Sequence, residues 1–327
     1  MLIAFFSLML SGCEKMLDIK NPAANPVAVF DEAWKIIDQR YALFSVKNVD
    51  WNEVYSGYRP RVNDSMTEDE LFKVLAEMLE TLKDGHVTIM TASDTATYDN
   101  FYKTYPINFN YKNIVDYYLM NDYKSSDPFI YKIVNEIGYL YYNSFFNSIT
   151  EADMEKIVNE MAASKGIILD IRSNFGGHSS NAELLFSHFI SEKTLVRYEL
   201  IKNGTGHEDF SAAKPFYVEP ASVVFTKPVV VLTNRSCFSV CNDFVSYMSG
   251  LPNVKLMGDQ TGGGGGVPYN YILANGWKIQ YSATLTLSAS KTSIENGVQP
   301  DENIGITPID EVNGRDPIVE KAYQFLQ

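Results

Sequence analysis

The sequence predicts an α/β fold preceded by a helical N-terminal part, on three observations. From Gly138 onward, short continuous apolar runs such as "GIILDIR" and "PVVVLTN" alternate with helix-like segments, the pattern of strands covered on both faces. The 327 residues are 46% hydrophobic, enough for a large core and, by length, for roughly two domains. The segment from Val27 to about Lys83 carries helical rather than strand periodicity.

Taken in order, the clearest N-terminal helix starts at "MTEDE", where Thr67 and Glu70 make a capping box. Leu71, Val74, Leu75, Met78, Leu79 and Leu82 follow as one apolar stripe, and Gly85 in "KDGHV" is the expected stop. Residues 88 to 135 are polar and rich in tyrosine, consistent with several strands and turns. Clusters such as "VDYYLMNDY" suit stacking on sugars or peptides as well as ordinary half-buried packing. Beyond them, "GYLYYNSF" reads as a strand, "TEADMEKIVNEMAAS" as a helix capped by Thr150, "GIILDIR" as a buried strand and "NFGG" as a turn. The order continues with the helix "NAELLFSHFI", the strand "PVVVLTN", the helix "SVCNDFVSYMSG" ended by Gly250, and the strand "VKLMG". A glycine run, a hairpin in "NYILANGWKIQYSATL" and a last helix "DPIVEKAYQFL" complete it.

Composition narrows the partners. A net charge of −13 and a pI near 4.8 disfavour nucleic acid, since nothing would neutralise phosphates. The opening "MLIAFFSLMLSGCEK" has the apolar length of a secretory signal and is too short to span a membrane. Its "LSGC" is similar to a bacterial lipobox, which makes Cys13 the expected lipidated N-terminus and the membrane a partner through that anchor, although no Lys or Arg precedes it. The expected division is a lipoprotein signal peptide over 1–13, a tether over 14–26 and a helical subdomain over 27–90. A connecting region over 91–135 and an α/β core over 136–327 follow.

The chemistry centres on "VVVLTNRSCFSVCND". Ser239 stands where a buried strand passes into a helix, beside the positive helix end and free backbone amides, of which Val240 N–H is a natural oxyanion donor. A serine there is also an ordinary helix cap. Cys237 and Cys241 read as small buried residues: four apart beside a helix start they are badly placed for a disulfide, and Cys241 lies where a thiol is inert. Ser236 reads as a turn. A base must come from His86, His178, His188 or His207. His188 fits helix packing and His207 a loop, while spacing does not decide between His86 and His178. The Phe175–Gly177 turn suits outward-facing amides. "TGGGGG" lacks the Lys-Ser/Thr of a phosphate loop and reads as a flexible wall beside a cleft. The α/β-hydrolase elbow fails as well, because its flanking glycines are replaced by Cys237 and Cys241. No metal or cofactor is expected, the remaining zinc ligands being scattered singly.

"LKDGHVTI", "GIILDIRSNFGGHSSNAELL", "VVVLTNRSCFSVCNDFV", "MGDQTGGGGG" and "IENGVQPDENI" resemble, in order and spacing, the serine peptidase family of the C-terminal processing proteases and the tricorn core protease. The likeness runs from about Val27 to the C-terminus and implies a crotonase/ClpP-like core. Residue by residue, it implies Ser239 as nucleophile. The lysine used by the processing proteases falls near Gly264 and is absent. The tricorn-like branch implies His86 as base and Glu295 as an assisting carboxylate, with the oxyanion held by Val240 N–H and an amide at Gly176 or Gly177. The serine that tricorn places beside its histidine corresponds to Gly85. The interval from Thr91 to Glu136 is too short for a peptide-binding PDZ module, so short or unfolded peptides are the implied substrates. Two further readings use the same scaffold: a non-catalytic ligand-binding lipoprotein, and, on the tyrosines alone, a glycan-handling one.

Overall fold

The computed structural model describes residues 24–327. Cys13 and most of the expected tether therefore lie outside the described residues. Three sheets organise the rest. The central one runs β14 (Glu302–Asn303), β10 (Val254–Gly258), β9 (Val229–Thr233), β6 (Gly166–Asp170), β5 (Ile137–Tyr141), β4 (Phe129–Val134) and β3 (Lys124–Ser126). From β14 to β5 the pairs are parallel, and β4 and β3 add an antiparallel edge. Residues 124–134, expected in the connecting region, thus belong to the core sheet.

Strands β5, β6 and β9 are buried at every position. Continuous apolar runs were the sequence signal for this, and each face has its own cover. Leu140, Ile167, Leu169, Val229 and Val231 pack under the helices Glu151–Met161, Ser179–Ser187 and Val240–Ser249. Tyr139, Ile168, Val230 and Leu232 face Ile318, Val319 and Ala322 of the last helix, Pro317–Leu326. Parallel β6 and β9 lie side by side, so the segments leaving their carboxyl ends, Phe175–Gly177 and Ser236–Ser239, emerge together. That edge is where open α/β sheets place ligands.

A second sheet joins distant parts of the chain in the order β11 (Pro268–Ile272), β12 (Lys278–Ser282), β1 (Thr88–Met90), β2 (Thr95–Thr97). The third is β13 (Thr284–Ser288), β7 (Thr194–Ile201), β8 (Lys214–Val218). The helices Pro26–Arg40, Phe44–Lys47, Trp51–Tyr58 and Glu68–Glu80 share one core with Leu273, Trp277, Ile279 and Tyr281 of the β11–β12 hairpin. The N-terminal helices therefore close over a hairpin supplied by the C-terminal half. The Thr67–Glu70 capping box is present, but that helix ends at Glu80 with Thr81 as cap, short of Gly85. Lys83 at φ 49° makes the reversal, which frees residues 84–86 to form a separate turn.

Candidate active site

Ser239 is the N-cap of the helix Val240–Ser249, yet its side chain makes no capping hydrogen bond. Its backbone sits at φ 58°, ψ −126°, a region a non-glycine residue occupies at a cost of about 1–3 kcal/mol. The conformation is held from both sides: Ser239 N–H donates to Gly263 O at 2.9 Å, and Phe238 N–H to Asn174 O at 3.2 Å. The hydroxyl is thereby turned away from the helix and lies 3.0 Å from His86 Nε2. Of the two roles open to this serine, capping is the one its geometry excludes.

His86 reaches this place through the second sheet. Its carbonyl accepts from Gln280 Nε2 of β12 at 3.2 Å, and its N–H donates to Asp84 Oδ1 at 2.8 Å. Asp84 Oδ2 accepts from Ser282 Oγ at 2.8 Å. The ring packs against Phe238 with centroids 4.7 Å apart. Burial, with Lys47 reinforcing it, lowers the imidazole pKa against the opposing pull of Asp84, so the neutral ring needed by a base is favoured. Its other nitrogen, Nδ1, is buried with no hydrogen-bond partner among the described residues.

The other histidines are elsewhere. His178 stands at the N-cap position of the helix Ser179–Ser187 without a side-chain capping bond and packs edge-on against Phe146. Buried His188 faces Val223 O through Nδ1 at 2.7 Å, and His207 pairs with Asp38 and stacks on Phe44. Cys237 and Cys241 are buried and free, with both thiols turned to Ile171 O beneath the site. Burial pushes the Cys241 thiol well above its ordinary pKa, which leaves it a packing group.

Glu295 is 3% exposed and joins the site without a direct bond to His86 among those present. Its Oε2 accepts from Gly265 N–H at 2.7 Å, and its Oε1 lies 2.6 Å from Lys47 Nζ. Burial and the neighbouring Asp84 carboxylate push its pKa up to about 7, against the opposing pull of Lys47 and the Gly265 amide. Lys47 and Asp84 are thus members of the site that sequence reasoning missed. The one available signal, "KDGH" itself, placed an acid two residues before the histidine.

The oxyanion side needs one correction. Gly176 N–H donates to Asn174 Oδ1 at 2.9 Å and is not free for a ligand. Gly176 instead has a steric role: at φ 90°, a Cβ there would lie 2.6 Å from Phe238 O and 3.0 Å from Ser239 Cβ. Gly177 and Val240, whose amide is the first of its helix and lacks an intrahelical acceptor, remain as candidate donors.

The glycine run is not the flexible wall expected. Gly262 N–H bonds Cys237 O at 2.8 Å and Gly264 N–H bonds Glu295 O at 3.0 Å, threading the run between the nucleophile segment and the Glu295 segment. A Cβ on Gly263 would stand 1.9 Å from Glu295 O, so this close approach is what requires glycine. At Gly264, φ is 84° and a Cβ would meet the Phe238 ring at 2.5 Å. A Cβ on Gly85 would meet Phe101 at 2.6 Å and Phe238 at 2.8 Å. The stacked Phe101 and Phe238 rings, 4.4 Å apart, therefore fill the space where both alternative activating side chains would stand. Adding Gly264→Lys to a His86→Ala variant is accordingly expected not to restore activity. It should instead lower stability by roughly 1–2 kcal/mol or more, read by thermal unfolding.

Comparison with known proteins identifies the family. The sequence matches peptidase family S41 over residues 136–304 and the tricorn protease C1 domain over residues 22–80. The chain belongs to peptidase family S41. A crystal structure of a candidate peptidase from Parabacteroides merdae is 40% identical, with a TM-score of 0.89 over 93% of this chain and 97% of that one. The carboxy-terminal processing protease CtpA of Bacillus subtilis is 29% identical over 168 residues, 51% of this chain and 34% of that protein. The chain thus spans about a third of the length of that curated relative. Mature CPAF complexed with lactacystin, at 11% identity and a TM-score of 0.69 over 92% of this chain, shares the fold of this S41 member.

Proposed function

We propose that the protein is a serine peptidase that cleaves short or unfolded peptides through an acyl-enzyme on Ser239. The observation that carries this is the 3.0 Å approach of Ser239 Oγ to His86 Nε2 in a serine that declines to cap its own helix. His86 Nε2 takes the hydroxyl proton as Oγ attacks the scissile carbonyl, then delivers it to the departing amine. The tetrahedral oxyanion is received by Val240 N–H at the positive helix end and by Gly177 N–H. Water, activated by the same imidazole, then attacks the ester and releases the acid. Glu295 acts at a distance: its buried charge favours the transient imidazolium, and its bond to Gly265 steadies the glycine run whose Gly263 carbonyl holds Ser239 N–H. Exposed Phe146 and Phe175 beside the glycine turn offer apolar contacts to a peptide.

We further propose export and attachment to the bacterial cell envelope through a lipid on Cys13, which rests on the apolar opening and its "LSGC". Heat-denatured casein tests the activity. The wild-type protein is expected to degrade it, and Ser239→Ala to reduce turnover by at least about 10³-fold. Equal turnover by both would refute the assignment of Ser239. No turnover by folded wild-type protein would favour a binding protein built on the same scaffold.

A further inference from the structure

We propose that Lys47 is a positioning residue of this site: by ion-pairing with Glu295 from the N-terminal helical part, it holds that carboxylate in place beside Asp84, next to the Ser239–His86 pair. The inference rests on the Ser239–His86 reading and extends it to the first sixty residues of the described chain.

Lys47 ends the short helix Phe44–Lys47, far in sequence from every other member of the site. Its Nζ is 2.6 Å from Glu295 Oε1 and donates to Lys83 O at 3.0 Å. The side chains are only 10% and 2% exposed, so the pair is far more buried than a surface ion pair. Burying an ammonium and a carboxylate is expensive and often no better than apolar packing. A pair kept on such terms, next to reacting groups, invites a functional explanation.

The surroundings supply one. Lys47 and Glu295 both line a cavity of about 400 Å³ whose wall includes Gly85 and Phe238, the chain neighbours of His86 and Ser239. The groups facing Glu295 are Lys47, Asp84, the Tyr41 hydroxyl and the Gly265 amide. Those acting on His86 are Asp84, Lys47, the Phe238 ring and Ser239 itself. Without Lys47, two buried carboxylates would face each other with no cation between them, and Glu295 would keep its proton to higher pH. Because Glu295 accepts from Gly265, its loss of charge would also loosen the glycine run that holds Ser239 N–H.

A mere tether between the N-terminal helix and the Glu295 segment would use the same contact, and pH dependence separates the two. Lys47 holds the Glu295 pKa down, so removing it raises that pKa. The carboxylate form then persists only at higher pH, and the acid limb of the rate profile moves upward. The His86 pKa, which Lys47 also depresses, rises in the same direction. A tether alone would move the limb only through this direct effect on His86, which would persist unchanged when Glu295 is replaced by Gln.

The test measures the rate constant for labelling by a fluorophosphonate from about pH 5 to about 9 in folded wild type, Lys47→Met, Lys47→Arg, Glu295→Gln and the Lys47→Met/Glu295→Gln double variant. For Lys47→Met, a plateau about 10–100-fold lower and an acid limb raised by about one pH unit are expected. Lys47→Arg should return the limb to its wild-type position, which also answers any folding defect of Lys47→Met. Added to Glu295→Gln, Lys47→Met should change the rate by less than about 3-fold. An unmoved limb, or an undiminished Lys47→Met effect in the Glu295→Gln background, overturns the proposal. Folded wild-type protein that takes no label would instead remove the Ser239 reading, and this role with it.

Discussion

His86→Ala is expected to slow acylation of Ser239 by roughly 10⁴-fold or more while leaving the fold intact. The reason is geometric. The imidazole is the group whose nitrogen lies within hydrogen-bonding distance of Ser239 Oγ, and nothing nearby can replace it. The Phe238 and Phe101 rings occupy the space a substitute base would need. His178→Ala provides the control, since that ring faces Phe146 at the entrance of a different helix. Its labelling rate by a fluorophosphonate should stay within about 3-fold of wild type. The reverse pattern would mean that the working base is His178.

Arg172→Met is expected to destabilise the protein by about 3–5 kcal/mol, the cost of leaving buried charges without their partner. Arg172 is fully buried directly after β6. Its Nε and Nη2 meet Asp170 at 2.9 and 2.6 Å, and its Nη1 meets Asp316 Oδ2 at 2.8 Å and Asn108 O at 3.1 Å. Tyr139 donates to the same Asp170 at 2.7 Å, and Asp316 caps the last helix through Ile318 N–H and Val319 N–H. One guanidinium thus joins the end of the central strand, the last helix and the 108 loop, just upstream of the Phe175–Gly177 turn. A fall in Tm of roughly 10 °C should result. Arg172→Lys should recover only part of it, because an ammonium keeps the charge but loses the fork that serves two carboxylates at once. An unchanged Tm would show that the network contributes nothing net.

The parts of this molecule that were legible in sequence are those governed by local chemistry. Strands β6 and β9 announced themselves as apolar runs because both of their faces are covered, and Thr67 and Thr150 marked helix starts by short-range hydrogen bonding. Ser239 was visible as a residue at a strand-to-helix junction, but its positive φ was not, since that depends on Gly263 and Asn174 holding it from two other segments. Among the four histidines, His86 stood out only by family resemblance. Its approach to Ser239 is fixed by β1 pairing with β12, a contact between the first and last thirds of the chain.

Lys47 was hidden for the same reason: in a four-residue helix, a lysine buried against Glu295 looks in sequence like any surface lysine. The two glycine misreadings share a cause. In sequence Gly85 reads as a helix stop and the 262–266 run as a flexible wall, whereas Gly85, Gly263 and Gly264 are glycine because rings and backbone crowd against them. Gly176 repeats the lesson at the oxyanion turn, where steric need and a bond to Asn174 replace the donor role inferred from its motif.

The most direct test of the central claim is covalent capture. Folded wild-type protein is treated with a fluorophosphonate, digested, and the modified peptide sequenced by mass spectrometry. The adduct is expected on Ser239, at one per chain, and should vanish in Ser239→Ala. An adduct on Ser236 or another serine, or labelling that survives in Ser239→Ala, would contradict the account.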